Sequence, residues 1–214
     1  MRYLIVCGGK IDKEFGLNEI KTDGIDAIIA ADSGMDFLYE NGVTPDIIVG
    51  DFDSTTTNAL EYFERKGQTE IRRLNPIKDD TDTEYAIRLA ISEGARSIVL
   101  LGATGSRIDH VLGNISLLGI GLESGTDISI IDTNNRIRMA DKPVTIEKSA
   151  QYGRFVSLIA LTDDNEVRLK GFKYPVTDYS FDRFTSLGIS NEIVDDHALI
   201  DIHRGKFIII ESKD

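Results

Sequence analysis

Short apolar runs recur through the first two-thirds of the chain: residues 3–7 (YLIVC), 27–31 (AIIAA), 46–49 (DIIV), 97–101 (SIVLL) and 128–131 (ISII). Four or five residues of β-branched, apolar sequence suit strands buried on both faces of a parallel sheet. Between these runs the period lengthens. Residues 83–93 set Ala86, Leu89 and Ala90 on one helical stripe, with Arg88 and Glu93 off it. Residues 110–122 repeat the pattern through Val111, Leu112, Ile115 and Leu118, and a further helix is expected over 55–66. Strand alternating with helix predicts an α/β domain whose mostly parallel sheet is flanked by crossover helices.

After about residue 135 the texture changes. Residues 144–147, 155–161, 167–169, 198–202 and 207–210 are strand-like, and no stretch of helical period separates them. Asn134-Asn135 and Asp163-Asp164-Asn165 supply turn chemistry, and Arg204-Gly205-Lys206 reads as a hairpin tip. The expected division is an α/β domain over 1–135 and an all-β domain, a sandwich or small barrel, over 136–214. A β domain that small buries a modest core and is expected to dock on the first domain or on another subunit.

Charge narrows the partners. The chain of 214 residues carries 24 Lys and Arg against 36 Asp and Glu, a formal net charge of −12. Residues 1–140 hold net −9 of it and residues 141–214 net −3. An acid excess argues against a nucleic-acid groove, since phosphate backbones are held mainly by Lys and Arg. One cysteine excludes an internal disulfide and fits a reducing, cytoplasmic setting; Cys7, in the first strand, reads as a buried apolar residue. The start, MRYLIVCGGK, is too short in apolar residues for a signal-peptide core, and no run approaches the ~18–20 apolar residues of a membrane span. His197 and His203 have no ligand-spaced partner in the sequence.

Four clusters stand where an α/β sheet puts its functional loops, just past a strand. Ala31-Asp32-Ser33-Gly34 follows the second strand and doubles as a helix N-cap. Gly50-Asp51-Phe52-Asp53-Ser54 follows the third. Its two carboxylates can converge on a hard divalent cation such as Mg²⁺, whereas capping by Asp53-Ser54 would leave Asp51 unexplained. Lys78-Asp79-Asp80-Thr81-Asp82-Thr83-Glu84 opens a helix. Its carboxylates either complement the helix dipole or await a cation, and Lys78 is suited to a phosphate. Gly102-Ala103-Thr104-Gly105-Ser106-Arg107-Ile108-Asp109-His110 runs from strand to helix. Such a loop offers backbone N–H groups to an anion, with Arg107 as a fork for phosphate oxygens and Asp109 a further carboxylate. The alternative there is an N-cap Asp109 and a core-facing His110. Neither the P-loop nor the G-x-G-x-x-G fingerprint is present. Asp32, Asp51, Asp53, Asp82 and Asp109 all fall at strand-to-helix junctions, so one sheet edge should carry them, with Lys78 and Arg107 among them. Carboxylates for Mg²⁺ beside cations for phosphate oxygens are the groups of phosphoryl or diphosphoryl transfer.

At this point the chain resembles the thiamine pyrophosphokinases. The resemblance rests on ADSG at 31–34, GDFDS at 50–54, KDDTD at 78–82, GSRIDH at 105–110 and GISNE at 188–192, an ordered set that spans nearly the whole chain. Many members have a second glycine where Ser106 stands, and some carry a tryptophan near thiamine that this chain lacks. The resemblance implies an N-terminal α/β domain for ATP and Mg²⁺, a C-terminal β-sandwich, a homodimer with active sites at its interface, and the reaction of ATP with thiamine to give AMP and thiamine diphosphate. It puts Asp51, Asp53 and Asp82 on the Mg²⁺–phosphate side as catalytic and metal-binding residues, with Asp109 a further catalytic residue near the same cluster and Asp32 beside it on the ATP and phosphate side. It puts Lys78 and Arg107 on phosphate oxygens, and Ser54, Thr81, Gly105 and His110 on the ATP and phosphate side. Ser190 and Asn191 fall on the thiamine and dimer side, where the residues alone read as an ordinary turn between strands. A carboxylate-rich cleft also suits thiamine's cationic thiazolium ring.

Two other readings compete. Asp51-Phe52-Asp53-Ser54-Thr55 fits D-x-D-x-[TV], the nucleophile loop of haloacid-dehalogenase-type Mg²⁺-dependent phosphatases, with Asp51 as nucleophile. Against it, the loop follows the third strand and not the first, and the other acidic clusters match the kinase pattern better. A non-catalytic scaffold that binds a regulatory divalent ion would leave Lys78 and Arg107 without a task.

Overall fold

The apolar runs of the first 133 residues become the strands of a parallel sheet. The computed structural model describes residues 1–52, 58–75, 80–105 and 107–214, and the chain divides into the units Met1–Thr133 and Asn134–Asp214. In the first unit the order is β1 (Arg2–Val6), α1 (Lys13–Ile20), β2 (Ala27–Ala31), α2 (Gly34–Glu40), β3 (Ile47–Gly50), α3 (Ala59–Lys66), β4 (Glu70–Arg73), α4 (Asp82–Ser92), β5 (Ser97–Leu101), α5 (Ile108–Ser124) and β6 (Asp127–Ile131). The strands lie in the order β6-β5-β1-β2-β3-β4, each pair parallel.

Helices on both faces explain why consecutive residues are apolar. Leu4, Ile5, Val6, Ile29, Ile48, Ile98 and Leu100 are fully buried. On one face Leu4, Val6, Ala30 and Ile48 pack with Met35 and Leu38 of α2 and Phe63 of α3. On the other, α4 packs across β1, β2 and β3, and α5 packs against β6. The strand that the apolar pattern misses is β4, Glu-Ile-Arg-Arg, a charged sheet-edge strand of the kind that discourages pairing with another chain. The strands after β1 step outward to β4 on one side, and the chain then returns to place β5 on the other side of β1. The strand order thus reverses between β1 and β5, and the segments that follow these two strands stay joined: the Cys7 N–H donates to the Leu101 carbonyl at 2.7 Å and the Gly9 N–H to the Gly102 carbonyl at 2.9 Å.

The second unit is a sandwich of two antiparallel sheets. Its strands are β7 (Asn135–Ala140), β8 (Val144–Glu147), β9 (Phe155–Ala160), β10 (Glu166–Lys170), β11 (Val176–Tyr179), β12 (Asn191–Glu192), β13 (His197–Arg204) and β14 (Phe207–Ser212). Within this unit one sheet runs β12-β9-β14-β7 and the other β11-β10-β13-β8. Val156, Leu158, Phe207 and Ile209 of the first face Val167, Leu169, Ala198, Ile200 and Ile202 of the second in one core.

Two local expectations are corrected. Arg204-Gly205-Lys206 is not a hairpin tip: β13 pairs with β8 and β10, while β14 pairs with β7 and β9, so the turn carries the chain between sheets. Gly205 has φ of +89°, and a Cβ there would lie 2.5 Å from the Asn165 Cβ, which is why the crossing needs glycine. Asn135 is not a turn residue either but the first residue of β7, opposite Ser212.

Glu211 is fully buried in β14 and satisfied from four directions. Its Oε1 accepts from Arg136 Nε and Arg138 Nη2, both at 2.8 Å, and its Oε2 from Arg136 Nη2 at 2.7 Å and the Tyr152 N–H at 2.9 Å. Removing one partner of a buried ionic cluster strands the rest, so Glu211→Ala should cost about 3–5 kcal/mol in urea unfolding. Arg65→Ala, which breaks an exposed pair with Glu61 at 3.0 Å, should stay within about 0.5 kcal/mol.

His203 on β13 lies with Asp201 at 3.2 Å from Nε2 and with Glu166 and Asp178 at 3.5 and 3.9 Å from Nδ1. Arg168 and Arg204 bond Asp178 and Glu166 in turn. Hydrogen bonding to Asp201, and then to Glu166, raises the imidazole pKa despite some desolvation. A raised pKa means that this contribution to stability is complete below the unfolded-state value of about 6.5 and is lost as pH climbs through the folded value. Unfolding midpoints should therefore decline as pH rises above about 6.5 in the native chain, and His203→Gln should flatten that decline.

Candidate active site

Three carboxylates meet at the carboxyl edge of the parallel sheet. Asp32 follows β2, and its N–H donates to the Val49 carbonyl at 2.8 Å, which carries the pairing one residue past the strand. Its φ of +49° is a left-handed conformation that favours glycine, held by this pairing and by the immediate start of α2. That start needs Gly34, because a Cβ there would stand 2.0 Å from the Val6 carbonyl oxygen. Ser33 is the N-cap residue of α2 and makes no side-chain capping bond. Asp51 follows β3 directly. Next to it Phe52, at φ +65°, buries its ring beneath the Arg73 guanidinium, 5.4 Å from the ring centre. Asp82 is the first residue of α4, placed there by Thr81, whose hydroxyl accepts the Glu84 N–H at 3.2 Å as N-cap.

One carboxylate oxygen from each of Asp32, Asp51 and Asp82 lies within 4.8 Å of the other two, and all three side chains are half-buried. Three charges so close repel by on the order of 3 kcal/mol per pair at an effective dielectric near 20. A set of oxygen donors only, converging from three segments, is what a hard divalent cation such as Mg²⁺ requires. Asp53, Ser54 and Lys78 lie outside the described residues.

The loop after β5 reaches the same edge. Gly102 has φ of +72°, and α5 begins after Arg107 as N-cap. Asp109, in the first turn, is not among the converging carboxylates. Arg107 bonds it in a fork, Nη2 to Oδ2 at 2.7 Å and Nε to Oδ1 at 3.2 Å, and both side chains are exposed. That hydrogen bonding holds the Asp109 carboxyl down at about 2. His110 faces solvent, not the core, and its N–H donates to Asp109 Oδ1 at 3.0 Å. Gly105 is exposed and close to the β1 loop at Gly9 and Lys10.

In the second unit Ser190 is exposed at φ +59°, its N–H donating to Ser157 Oγ at 3.0 Å. Asn191 is buried. Its Oδ1 accepts the Tyr174 N–H at 3.0 Å and its Nδ2 donates to the Tyr174 carbonyl at 2.8 Å. The Asn191 amide therefore holds the backbone at Tyr174.

Comparison with known proteins agrees along both units. The family models "Thiamin pyrophosphokinase, catalytic domain" and "Thiamin pyrophosphokinase, vitamin B1 binding domain" match residues 21–130 and 143–207. The chain belongs to the thiamine pyrophosphokinase family. It is 34% identical over 188 residues to the thiamine pyrophosphokinase of Bacillus subtilis (strain 168), covering 87% of each chain. The crystal structure of a thiamine pyrophosphokinase from B. subtilis superposes with a TM-score of 0.89 at 32% identity, covering 100% of both chains. That of a thiamin pyrophosphokinase from Geobacillus thermodenitrificans gives 0.86 at 29% identity, covering 100% of this chain and 98% of that one. As a member of this family the chain is an enzyme, a transferase with ATP as co-substrate, and membership sets aside the phosphatase reading of Asp51.

Two residues of this edge escape the sequence reading. Lys10 is an exposed cation in the segment after β1, next to Gly105 of the loop after β5; its signal is the Gly-Gly-Lys that ends the first apolar run. Asp132 follows β6 and accepts the Thr104 hydroxyl at 2.9 Å; a lone aspartate after an apolar run carries little signal by itself. Cys7, at the end of β1, is buried, and burial pushes its thiol up to about 12, so it stays protonated and inert.

If the three convergent aspartates form the cation site, Asp51→Asn and Asp82→Asn should each weaken Mg²⁺ or Mn²⁺ binding by about tenfold or more in calorimetric titration, with melting temperature retained. Asp109→Asn should bind the ion as the native chain does. Native-like affinity in both of the first two variants would remove them from the cation site.

Proposed function

We propose that the chain transfers a diphosphate group from ATP to the terminal hydroxyl of thiamine, with Mg²⁺ held by Asp32, Asp51 and Asp82. The observation that carries this reading is the convergence of those carboxylates within 4.8 Å, at the edge where a glycine-containing loop feeds the N-terminus of α5. The hydroxyl oxygen bonds to the β-phosphorus as its proton passes to water, the bond from that phosphorus to the oxygen it shares with the α-phosphorus breaks, and AMP leaves with that oxygen. When bound, Mg²⁺ neutralises charge on the phosphate oxygens.

The chain's own residues position and neutralise. Thr81 fixes Asp82 by capping α4. Asp53 adds a fourth carboxylate to the metal side, and Ser54 serves the phosphate side. Lys78 takes a phosphate oxygen as a point charge. Arg107 does the same with its fork, exchanging the Asp109 carboxylate for phosphate, so Asp109 acts by holding Arg107 and not as a metal ligand. Gly105 and His110 flank the positive end of the α5 dipole.

Residues 1–135 serve ATP and Mg²⁺, and residues 136–214 serve thiamine and dimerisation. Ser190 is the polar group on the thiamine side, while Asn191 shapes that side through Tyr174. A homodimer is supported by exposed apolar side chains in the second unit: Tyr174, Leu187, Ile189 and Val194. A cytoplasmic setting is supported by the single, buried cysteine. Among the described residues no helix is long and apolar enough to cross a membrane.

Incubation with ATP, Mg²⁺ and thiamine should yield AMP and thiamine diphosphate in equal amounts. Inorganic phosphate with a trapped phosphoenzyme would replace this reading with a phosphatase, and no turnover with thiamine would remove it. Asp82→Asn should lower kcat by about 10²-fold or more while the circular dichroism spectrum is unchanged.

A further inference from the structure

A backbone loop that receives a polyanion carries a built-in conflict, because its N–H groups attract phosphate oxygens and its carbonyl groups repel them. The loop from Gly102 to Gly105 meets this conflict at its first two carbonyls by engaging them internally, and a side-chain bond at Thr104 anchors it further. The Gly102 carbonyl accepts the Gly9 N–H at 2.9 Å. The Ala103 carbonyl accepts Nδ2 of Asn114 at 2.8 Å, and the Thr104 hydroxyl donates to Asp132 Oδ2 at 2.9 Å. The loop is thus tied to the segment after β1, to α5 and to the residue after β6 by three separate bonds. Contact with β1 is close enough that a Cβ on Gly9 would lie 2.3 Å from the Gly102 oxygen and 2.6 Å from the Thr104 oxygen.

Asn114 is an odd choice for its position. It lies in the interior of α5, where asparagine is a poor helix former, and it is half-buried. Its amide reaches back over the first turns of its own helix to the loop that precedes them.

We propose that Asn114 is a positioning residue for diphosphate transfer: its amide, aided by the Thr104–Asp132 bond, turns the loop's carbonyls inward so that the phosphates of ATP meet donors at the α5 N-terminus. This rests on the function proposed above. Nothing in Asn114 need touch ATP; it acts through the loop.

The experiment compares steady-state kinetics of the native chain, Asn114→Ala and Asn114→Asp. Failure of the native chain to turn over thiamine strikes the proposed function itself; the variants are read only against an active native enzyme. Alanine favours helix at this position, so Asn114→Ala should fold. Its KM for ATP should rise about tenfold, with KM for thiamine within about twofold and kcat little changed, the signature of lost uniform binding. Asn114→Asp should be impaired at high pH, where its carboxylate faces the Ala103 carbonyl. Relative to the native enzyme it should recover as pH falls, because the neutral acid can donate. The Asn114→Ala ratio should stay flat over the same range. A native KM for ATP in Asn114→Ala, a fall in kcat alone with a lowered melting temperature, or a flat Asn114→Asp ratio would each overturn the assignment.

Discussion

Asp32, Asp51 and Asp82 repel one another, and the sheet beneath them holds them together regardless. Two of the three follow adjacent parallel strands, β2 and β3, whose pairing brings their carboxyl ends side by side. The third opens the helix that packs across β1, β2 and β3. Burial of Ile29, Ile48, Ile87 and Ala90 supplies the stability against which the repulsion acts, and non-glycine residues at φ +49° and +65° sit beside the site. A cation relieves the repulsion on binding. A divalent ion held there would draw part of its affinity from that relief.

The same constraint gives the net charge of −12 a location. An acidic chain is a poor host for a polyanion unless the cations are local. Lys10 lies in the segment after β1 next to the loop after β5, Arg107 opens α5, and the α5 dipole points its positive end at this edge. Carboxylates lie toward β2 and β3, and the N–H-bearing loop lies toward β5. A polyphosphate chelated to a divalent cation suits such a graded edge better than a bare anion would, since the cation would face the carboxylates and the phosphate oxygens the N–H groups.

How much of this was legible in the sequence depended on whether the signal was local. Strands buried on both faces announce themselves as apolar runs, and β1, β2, β3, β5 and β6 were readable for that reason. The edge strand β4, with two arginines and a glutamate in four residues, has no such signal, because one side of it meets water. At Arg204-Gly205-Lys206 the turn chemistry was right and the partner was wrong. A turn signal says that the chain reverses, and only the pairing of β13 and β14 with different strands says that it changes sheets. Asp82 and Asp109 look alike in sequence, each an acid in the first turn of a helix after a strand. They separate only in space, where Asp109 has Arg107 within 2.7 Å and Asp82 has two other carboxylates. His203 seemed solitary because Glu166 and Asp178 come from other strands.

Polar residues that resemble ligands can still be framework, and the count of bonds on each atom decides. Asn191 sits in a motif that points to the substrate, yet both ends of its amide bond the Tyr174 backbone in a buried setting. Asn114 sits in no motif, yet its amide ends on the loop that frames the site. A buried amide bonded to main chain cannot also bind a small molecule without losing those bonds, at about 1–3 kcal/mol for a polar group left unsatisfied. Its contribution to specificity must then come through the segment it holds. In this fold Asn114 holds the loop after β5 and Asn191 holds the backbone at Tyr174, each through bonds to main chain.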